Sequence, residues 1–558
     1  MPYAAPDLLL AKAAQWEATT PDTVVMTQPH DGGRTTEFTW RQTMDQARRM
    51  AAHLVSLNLP RPSQIAIVGK NSAHWIIADL AIWMAGHVSV PLYPTMTSDH
   101  VRQILDHSES RLLFVGKLDD WPMIRAGVPA DLPLIELPLA PHTGAPKWEQ
   151  IVAETQPLAG LPPRDPKELA TITYTSGTTG APKGVMMSFE GMASPFADES
   201  PELAVRADDR YLSYLPLAHC FERYVGEGYC LSQSVHLYFA ESLDSFLVDL
   251  KRARPTFFVS VPRLWVKFQA GVHAKVPPDK LRKLLSLPIV SWLVRRKILK
   301  GLGLDKVRVA FSGSAPLPPE VLGWYRRLGL ELLEGYGMSE NHAYSHASLP
   351  SAHRSGYVGK PQPGVQCKIG PDGEVLVKSP AMMMGYFKSP DLTAEVVTED
   401  GFLRTGDLGE IDENGLLRIT GRVKDLFKTD KGKYVSPAVI ESLLMRSPEL
   451  EQACVCGLGF PQPFGLVLLG EGVRDRVGDP AVRASVQASL EGLLRDTNAE
   501  LESHERLQFL VVVSGEWEVG NGLVTPTMKV KRAAIEKRYG DRFKGWYAQN
   551  QPVVWEAA

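Results

Sequence analysis

The stretch YTSGTTGAPKGV, Tyr174 to Val185, sets three glycines and a run of hydroxyl side chains around one cation, Lys183. Gly177, Gly180 and Gly184 permit backbone conformations closed to other residues. Successive exposed N–H groups in such a turn form an anion-binding concavity, and Ser176, Thr178 and Thr179 add hydroxyl donors. The chemistry this suits is a grip on phosphate; the competing reading is a flexible Ser/Thr/Gly connection. It is not the kinase and GTPase pattern G-x-x-x-x-G-K-[ST]. Pro182 precedes the lysine and Gly184 follows it, so no Ser or Thr stands there to ligate Mg2+. The flanks TITYT and GVMM predict strand–loop–strand, not strand–loop–helix.

The elements that must position this loop alternate along the first 420 or so residues. QIAIVGKN reads as a strand ending in glycine, and SAHWIIADLAIWMAG as a helix capped by Ser72. VRVAFSGSAPLPPEVLGWYRRLGLELLEGYG repeats the order: strand, Gly/Ser loop, proline-started helix, strand. Such alternation predicts an α/β fold with mixed, largely parallel sheets. Near Gly421 the character changes, and the last stretch of roughly 135 residues is the size of one small domain. The expected organisation is a large domain over 1–421, a hinge over 422–425 and a small mobile α+β domain over 426–558.

The bulk numbers exclude several classes. Of 558 residues, 44% are hydrophobic and 22% charged, an ordinary globular balance. The formal net charge of −3 lacks the basic excess of a nucleic-acid binder. Five cysteines with no C-x-x-C argue against a disulfide framework or zinc site and suit a reducing cytosol. Cys454 and Cys456 alternate as on one face of a strand. The N-terminus lacks the charged-then-apolar order of a secretory signal. The most apolar stretch, Trp75 to Tyr93, is interrupted by Asp79, His87 and Pro91, so a buried helix and strand are expected rather than a membrane span.

TSGTTGAPKG resembles the signature of the AMP-forming adenylate superfamily: acyl-CoA synthetases, peptide-synthetase adenylation domains and luciferases. Further motifs of that family follow in its order. LPLAHCFER (Leu215 to Arg223) resembles the acyl-site motif, SGSAPL (Ser312 to Leu317) the adenine-wall loop and EGYGMSE (Glu334 to Glu340) the nucleotide and Mg2+ motif. RTGD (Arg404 to Asp407) resembles the ribose motif, GRVKD (Gly421 to Asp425) the hinge, and PTMKVKR (Pro526 to Arg532) the segment with the catalytic lysine. The resemblance implies an ATP/AMP site built from Thr175, Ser176, Gly177, Thr178, Thr179, Gly180, Lys183, Gly313, Ser314, Ala315, Gly335, Tyr336, Gly337, Met338, Ser339, Asp407, Arg422 and Lys529. Within it Tyr336 offers an aromatic face for adenine. Glu340 is a hard oxygen ligand for Mg2+, and Asp407 and Arg422 reach the ribose. Lys183, Glu340 and Lys529 are the implied catalytic groups, with Lys529 rather than Lys531 at the α-phosphate. Taken singly, each has a plainer reading: core tyrosine, solvated cap, turn aspartate, surface ion pair, solvated lysine.

The implied reaction activates a carboxylate. ATP gives acyl-AMP and pyrophosphate, and CoA then takes the acyl group. Positioning and charge neutralisation carry such chemistry, and no G-x-S-x-G nucleophile elbow occurs. The family implies that the small domain rotates about Lys424 between half-reactions, bringing the loop of Gly432 and Lys433 to the site. LFKTDKGKYVSP and NGLVTPTMKVKR look most like the long-chain fatty acyl-CoA branch. His219, Phe221 and Trp265 are candidate walls of the acyl site. The alternatives are a fatty acyl-adenylate ligase that loads a carrier protein and a ligase for a medium-chain or other acid. Asp279 to Leu304 mixes apolar blocks with basic clusters, which suits an interfacial helix on anionic lipid. A cytoplasmic protein in peripheral contact with the inner face of the membrane is the corresponding expectation; a packed surface helix is the plainer one.

Overall fold

The computed structural model describes residues 7–176, 182–198, 200–525 and 528–556. The glycine-loop hairpin sits in a seven-stranded sheet. Its order runs Gly385–Tyr386, Pro182–Ser188, Leu169–Ser176, Val88–Leu92, Gln64–Val68, Leu112–Val115, Leu134–Glu136. The last five strands are parallel, as the alternation predicts, and the first two add antiparallel. The two arms of the hairpin pair from Leu169 opposite Ser188 to Ser176 opposite Pro182, so the strand–loop–strand reading holds. Gly177, Thr178, Thr179 and Gly180 lie outside the described residues.

The apolar stretch is a helix, Ala73–Met84, with every residue buried, followed by the strand Val88–Leu92. Ser72 caps the helix by accepting from the Trp75 amide at 3.2 Å. Among the described residues no helix is long and apolar enough to cross a membrane. A second sheet carries the adenine-wall and Mg2+ motifs. It orders Phe257–Ser260, Val309–Ser312, Leu332–Tyr336, His346–Ala347 and Lys360–Pro361. A four-stranded antiparallel sheet, from Gln366–Ile369 to Leu417–Arg422, supplies Asp407 and Arg422 from adjacent strands in direct register.

After the turn Val423–Asp425 the chain builds a separate four-stranded sheet with its own core. In the strand Leu450–Cys456, Ala453 and Val455 enter one apolar cluster while Cys454 and Cys456 enter another. That alternation is the period of two expected of a strand covered on both faces. The mixed α/β architecture with a smaller sheet domain at the C-terminus is thus the one expected. The basic–apolar stretch is not one helix. It breaks into Pro278–Leu285 and Pro288–Leu302, because Pro288 disfavours helical backbone at Leu287.

Candidate active site

Several motif residues line a cavity of about 870 Å³, its open mouth included, whereas Lys183, Glu340, Asp407, Arg422 and Lys529 are not among the residues that line it. Gly313, Ser314, Gly335, Tyr336 and Gly337 form one wall, and His219, Cys220 and Phe221 stand at the junction with an apolar arm. The apolar arm is walled by Tyr224, Val225, Tyr229, Phe257, Val259 and Phe311. Gly337 is required by space: a Cβ there would lie 2.4 Å from the Ala343 carbonyl oxygen. Gly184 is also a matter of space rather than of special backbone angles, since a Cβ would lie 2.8 Å from Ile172 and 3.2 Å from the Tyr174 ring. Ser314 and Ala315 are exposed, whereas Met338 and Ser339 are half-buried in the turn that leads to Glu340.

Asp407 is 8% exposed and accepts two hydrogen bonds. The Tyr336 hydroxyl donates to Oδ2 and the Arg422 Nε to Oδ1, each at 2.7 Å. Burial, then the charge of Asp407, raises the Tyr336 phenol, which therefore remains a donor. Glu340 accepts from the Tyr386 hydroxyl at 2.7 Å. The Lys183 ammonium lies 5.2 Å from the centre of the same tyrosine ring, and Thr175 is the strand partner of Lys183. One carboxylate, with the remaining positions left to phosphate oxygens and water, is a donor set that fits Mg2+.

Lys529 follows Met528, whose φ of 63° is left-handed, and is exposed. The Lys529 amide donates to the Thr525 hydroxyl at 3.0 Å, and its carbonyl accepts from the Thr525 amide at 2.8 Å. Desolvation, then repulsion from Arg422, holds its ammonium below the ordinary lysine range; Asp407 and the Cys220 thiol oppose this. The Lys529 charge thus acts on Arg422, Asp407 and Cys220, whereas that of Lys531 acts on His100.

His219 takes its ring Nδ1 to the Phe221 amide at 3.1 Å, so its proton belongs on Nε2. Burial, then the charge of Lys529, pushes it down to about 4, leaving a neutral ring. Burial pushes the neighbouring Cys220 thiol up to about 11. Trp265 does not wall the cavity, contrary to expectation. It is fully buried on the other side of the sheet, edge-on to Phe258 and Tyr325 with ring centroids 5.4 and 4.9 Å away. Lys424 is exposed in the turn Val423–Asp425. Gly432, at φ 74°, and Lys433 form the exposed turn between Phe427–Lys428 and Tyr434–Val435, and neither lines the cavity.

Sequence reasoning passed over three parts of this site. Tyr386 is one. Asn71 is another: it donates to the Leu215 carbonyl at 2.6 Å and accepts from the Leu217 amide at 3.0 Å, propping the acyl-site motif from a different element. The third is the wall itself. Residues Arg223–Gly228 form a π-helical turn, a wider winding that a 3.6-residue pattern does not register. Arg223, fully buried, pairs with Asp79 and with Glu227 at 3.0 Å and donates to the Thr171 hydroxyl at 3.0 Å. Burial raises Glu227 well above the carboxylate range and raises Asp79 too, while the Arg223 charge pulls both down. The cluster anchors the helix that carries Tyr224, Val225 and Tyr229.

The family model for AMP-binding enzymes matches residues 13–387, and the model of their C-terminal domain matches 424–551. The chain belongs to the AMP-binding enzymes. Among its relatives is the long-chain-fatty-acid–CoA ligase FadD15 of Mycobacterium bovis, 30% identical with 97% of each chain covered. Another is the peroxisomal long chain acyl-CoA synthetase 6 of Arabidopsis thaliana, 30% identical over 90% of this chain and 80% of that one. The fold matches the A domain of a carboxylic acid reductase from Segniliparus rugosus, solved with AMP and a co-purified carboxylic acid. The TM-score is 0.80 at 21% identity, covering 98% of this chain and 94% of that one.

Proposed function

We propose that this enzyme activates a long-chain fatty acid to acyl-AMP with release of pyrophosphate, then transfers the acyl group to CoA. The observation that carries the reading is that the glycine and tyrosine motif residues Gly313, Gly335, Tyr336 and Gly337 line one cavity together with the apolar side chains of Val225, Phe257, Val259 and Phe311. Full-length similarity to long-chain ligases supports the choice of acid.

A carboxylate cannot readily be displaced by a thiol, because oxide would have to leave. Its oxygen attacks the ATP α-phosphorus instead, and pyrophosphate departs. Asp407 and Arg422 hold the ribose, Tyr336 packs on the adenine, and Lys529 donates to the charge that grows on the α-phosphate. Lys183 and the glycine-loop N–H groups grip the departing pyrophosphate, and Glu340 is the residue that would hold Mg2+. That ion, when bound, neutralises phosphate charge. In the second half-reaction the small domain turns about Lys424, withdrawing Lys529 and presenting Gly432 and Lys433 to the pantetheine arm.

Pyrophosphate release across acids from acetate to oleate, with and without CoA, tests this. The expected maximum lies at long chains, with acyl-CoA formed when CoA is added. A maximum on acetate or an aromatic acid overturns the substrate. Acyl-AMP without acyl-CoA moves the acceptor to a carrier protein.

Peripheral contact with an anionic membrane belongs to the same reading. Ile289, Trp292 and Leu293 are 81%, 58% and 55% exposed on the helix Pro288–Leu302. Arg296, Lys297 and Lys300 continue their stripe at helical spacing, and Arg296 lies over the Trp292 ring at 5.4 Å. An apolar half followed by a basic half fits a bilayer interface. Neutralising Arg295, Arg296 and Lys297 should reduce binding to anionic liposomes; unchanged binding removes this part of the proposal.

A further inference from the structure

Lys183 lies in the strand Pro182–Ser188 and Glu340 in the turn Ser339–Asn341 that follows a strand of the second sheet, and residues 383–387 strap them together. The Met383 amide donates to the Glu340 carbonyl at 2.8 Å, the Met384 amide to the Met186 carbonyl at 2.9 Å and the Phe387 amide to the Gly184 carbonyl at 2.8 Å. Gly385 and Tyr386 pair antiparallel with Met186 and Val185, on the outgoing arm of the glycine-loop hairpin. The side chain of Tyr386 repeats the bridge made by the backbone. Its hydroxyl donates to Glu340 Oε1 at 2.7 Å while its ring lies under the Lys183 ammonium at 5.2 Å.

A carboxylate and an ammonium that meet the same phenol have an obvious alternative, which is to pair with each other. Each is instead held by Tyr386, Glu340 through the hydroxyl and Lys183 over the ring. The phenol gives each its own partner. A hydroxyl directed at a carboxylate is a charge-assisted hydrogen bond, and a cation over a tyrosine face is attracted by the ring quadrupole. Tyr386 is 6% exposed, so its ring has little room to swing away. Were Lys183 and Glu340 paired, arriving phosphates and metal would have to break that pair first. Held apart, the two groups need no such rearrangement.

Resting on the proposed reaction, we propose that Tyr386 is a positioning residue for the pyrophosphate end of the nucleotide site. It keeps Lys183 and Glu340 separate and aimed, so that ATP binding with Mg2+ depends on it and AMP binding does not. It acts through those two groups and not on the reacting atoms.

The test is calorimetric titration of the full chain, wild type and variants, with Mg·ATP in the absence of fatty acid and separately with AMP. Tyr386→Phe keeps the ring and removes the hydroxyl. It should weaken Mg·ATP about tenfold, the scale of one hydrogen bond to a charged group. It should also raise the Mg2+ concentration at half-saturation and leave AMP within about twofold. Tyr386→Leu, which also removes the ring face, should weaken Mg·ATP by a further few-fold, the scale of an exposed cation–π contact. Equal weakening of both ligands would mean a merely structural role and overturns the inference, as does no change in either. Retained AMP binding shows that the Phe variant is folded, so the outcome does not hang on the Leu variant. Failure of the wild type to bind AMP would instead remove the proposed function, and this inference with it.

Discussion

Asp407 and Lys529 face the same cleft and are held in opposite ways. Asp407 sits inside an antiparallel sheet, directly opposite Arg422, with one carboxylate oxygen on a tyrosine and the other on that arginine. Lys529 rides an exposed loop and shares two hydrogen bonds with Thr525. Polar contacts between the described residues of the domain that carries it and the large domain include two ion pairs and a hydrogen bond. Arg263 pairs with Glu451 at 2.6 Å, Arg446 reaches Glu320 at 3.5 Å, and the Ser436 hydroxyl donates to the Thr420 carbonyl at 2.8 Å. Surface ion pairs of this kind contribute about 0–1 kcal/mol each. The groups proposed to hold the nucleotide throughout are built into the sheet. The group proposed for one half-reaction is carried on a loop of the smaller domain, as the proposed rotation requires.

The widest expected separation between the two comes from Lys529→Ala. Its adenylation rate should fall about a thousandfold, the scale of removing one donor to developing charge. Thioester formation from supplied acyl-AMP should stay within a few-fold, and equal losses in both assays would dissolve the distinction. Asp407→Ala probes the fixed side. AMP affinity should drop roughly 10- to 100-fold, because Tyr336 and Arg422 lose their partner as well as the ribose. A titration in which AMP binds undiminished would remove Asp407 from the ribose.

The pH profile offers a smaller, signed test. In the proposed reaction adenylation needs the charged form of Lys529, whose affinity for its proton is lowered by desolvation and by Arg422. The rate should therefore begin to fall, as pH rises, below the range of a free lysine near about 10.4. In Arg422→Gln the repulsion is gone and Asp407 attracts the ammonium more strongly, so the alkaline limb should move to higher pH whatever happens to the overall rate. A limb that stays put would separate Lys529 from Arg422. The least effect is expected from Arg446→Ala, which releases Glu320 on one side and Glu500 on the other. It should alter the ratio of the two half-reaction rates by no more than about threefold; a tenfold change would show the domain contact to be tightly held after all.

Local pattern was a good guide wherever local physics decides the outcome. The glycine-loop hairpin, the buried helix Ala73–Met84 and the two-faced strand Leu450–Cys456 were legible because their periodicity and caps are written in consecutive residues. The site was legible only as separate words. Tyr386 has no signal of its own, since its role comes from a strand pairing with Met186 and Val185 far earlier in the chain. Asp79 looked like an interruption and proved to be buried, because Arg223 answers it from another element. Trp265 next to a strand could have faced either side. Strand parity sets Phe257 and Val259 toward the cavity and Phe258 away from it, and Trp265 packs with Phe258. The break before Pro288 was visible in the sequence as a proline preceded by leucine, yet the apolar run around it drew the reading toward one continuous helix.

Arg422 has a consequence beyond its contact with Asp407. It is the last residue of the strand Leu417–Arg422, and the turn Val423–Asp425 starts at the next position. In the proposed reaction the nucleotide's sugar is thus gripped by the last sheet residue before the proposed axle, so the same arginine that holds the product also adjoins the joint that must turn.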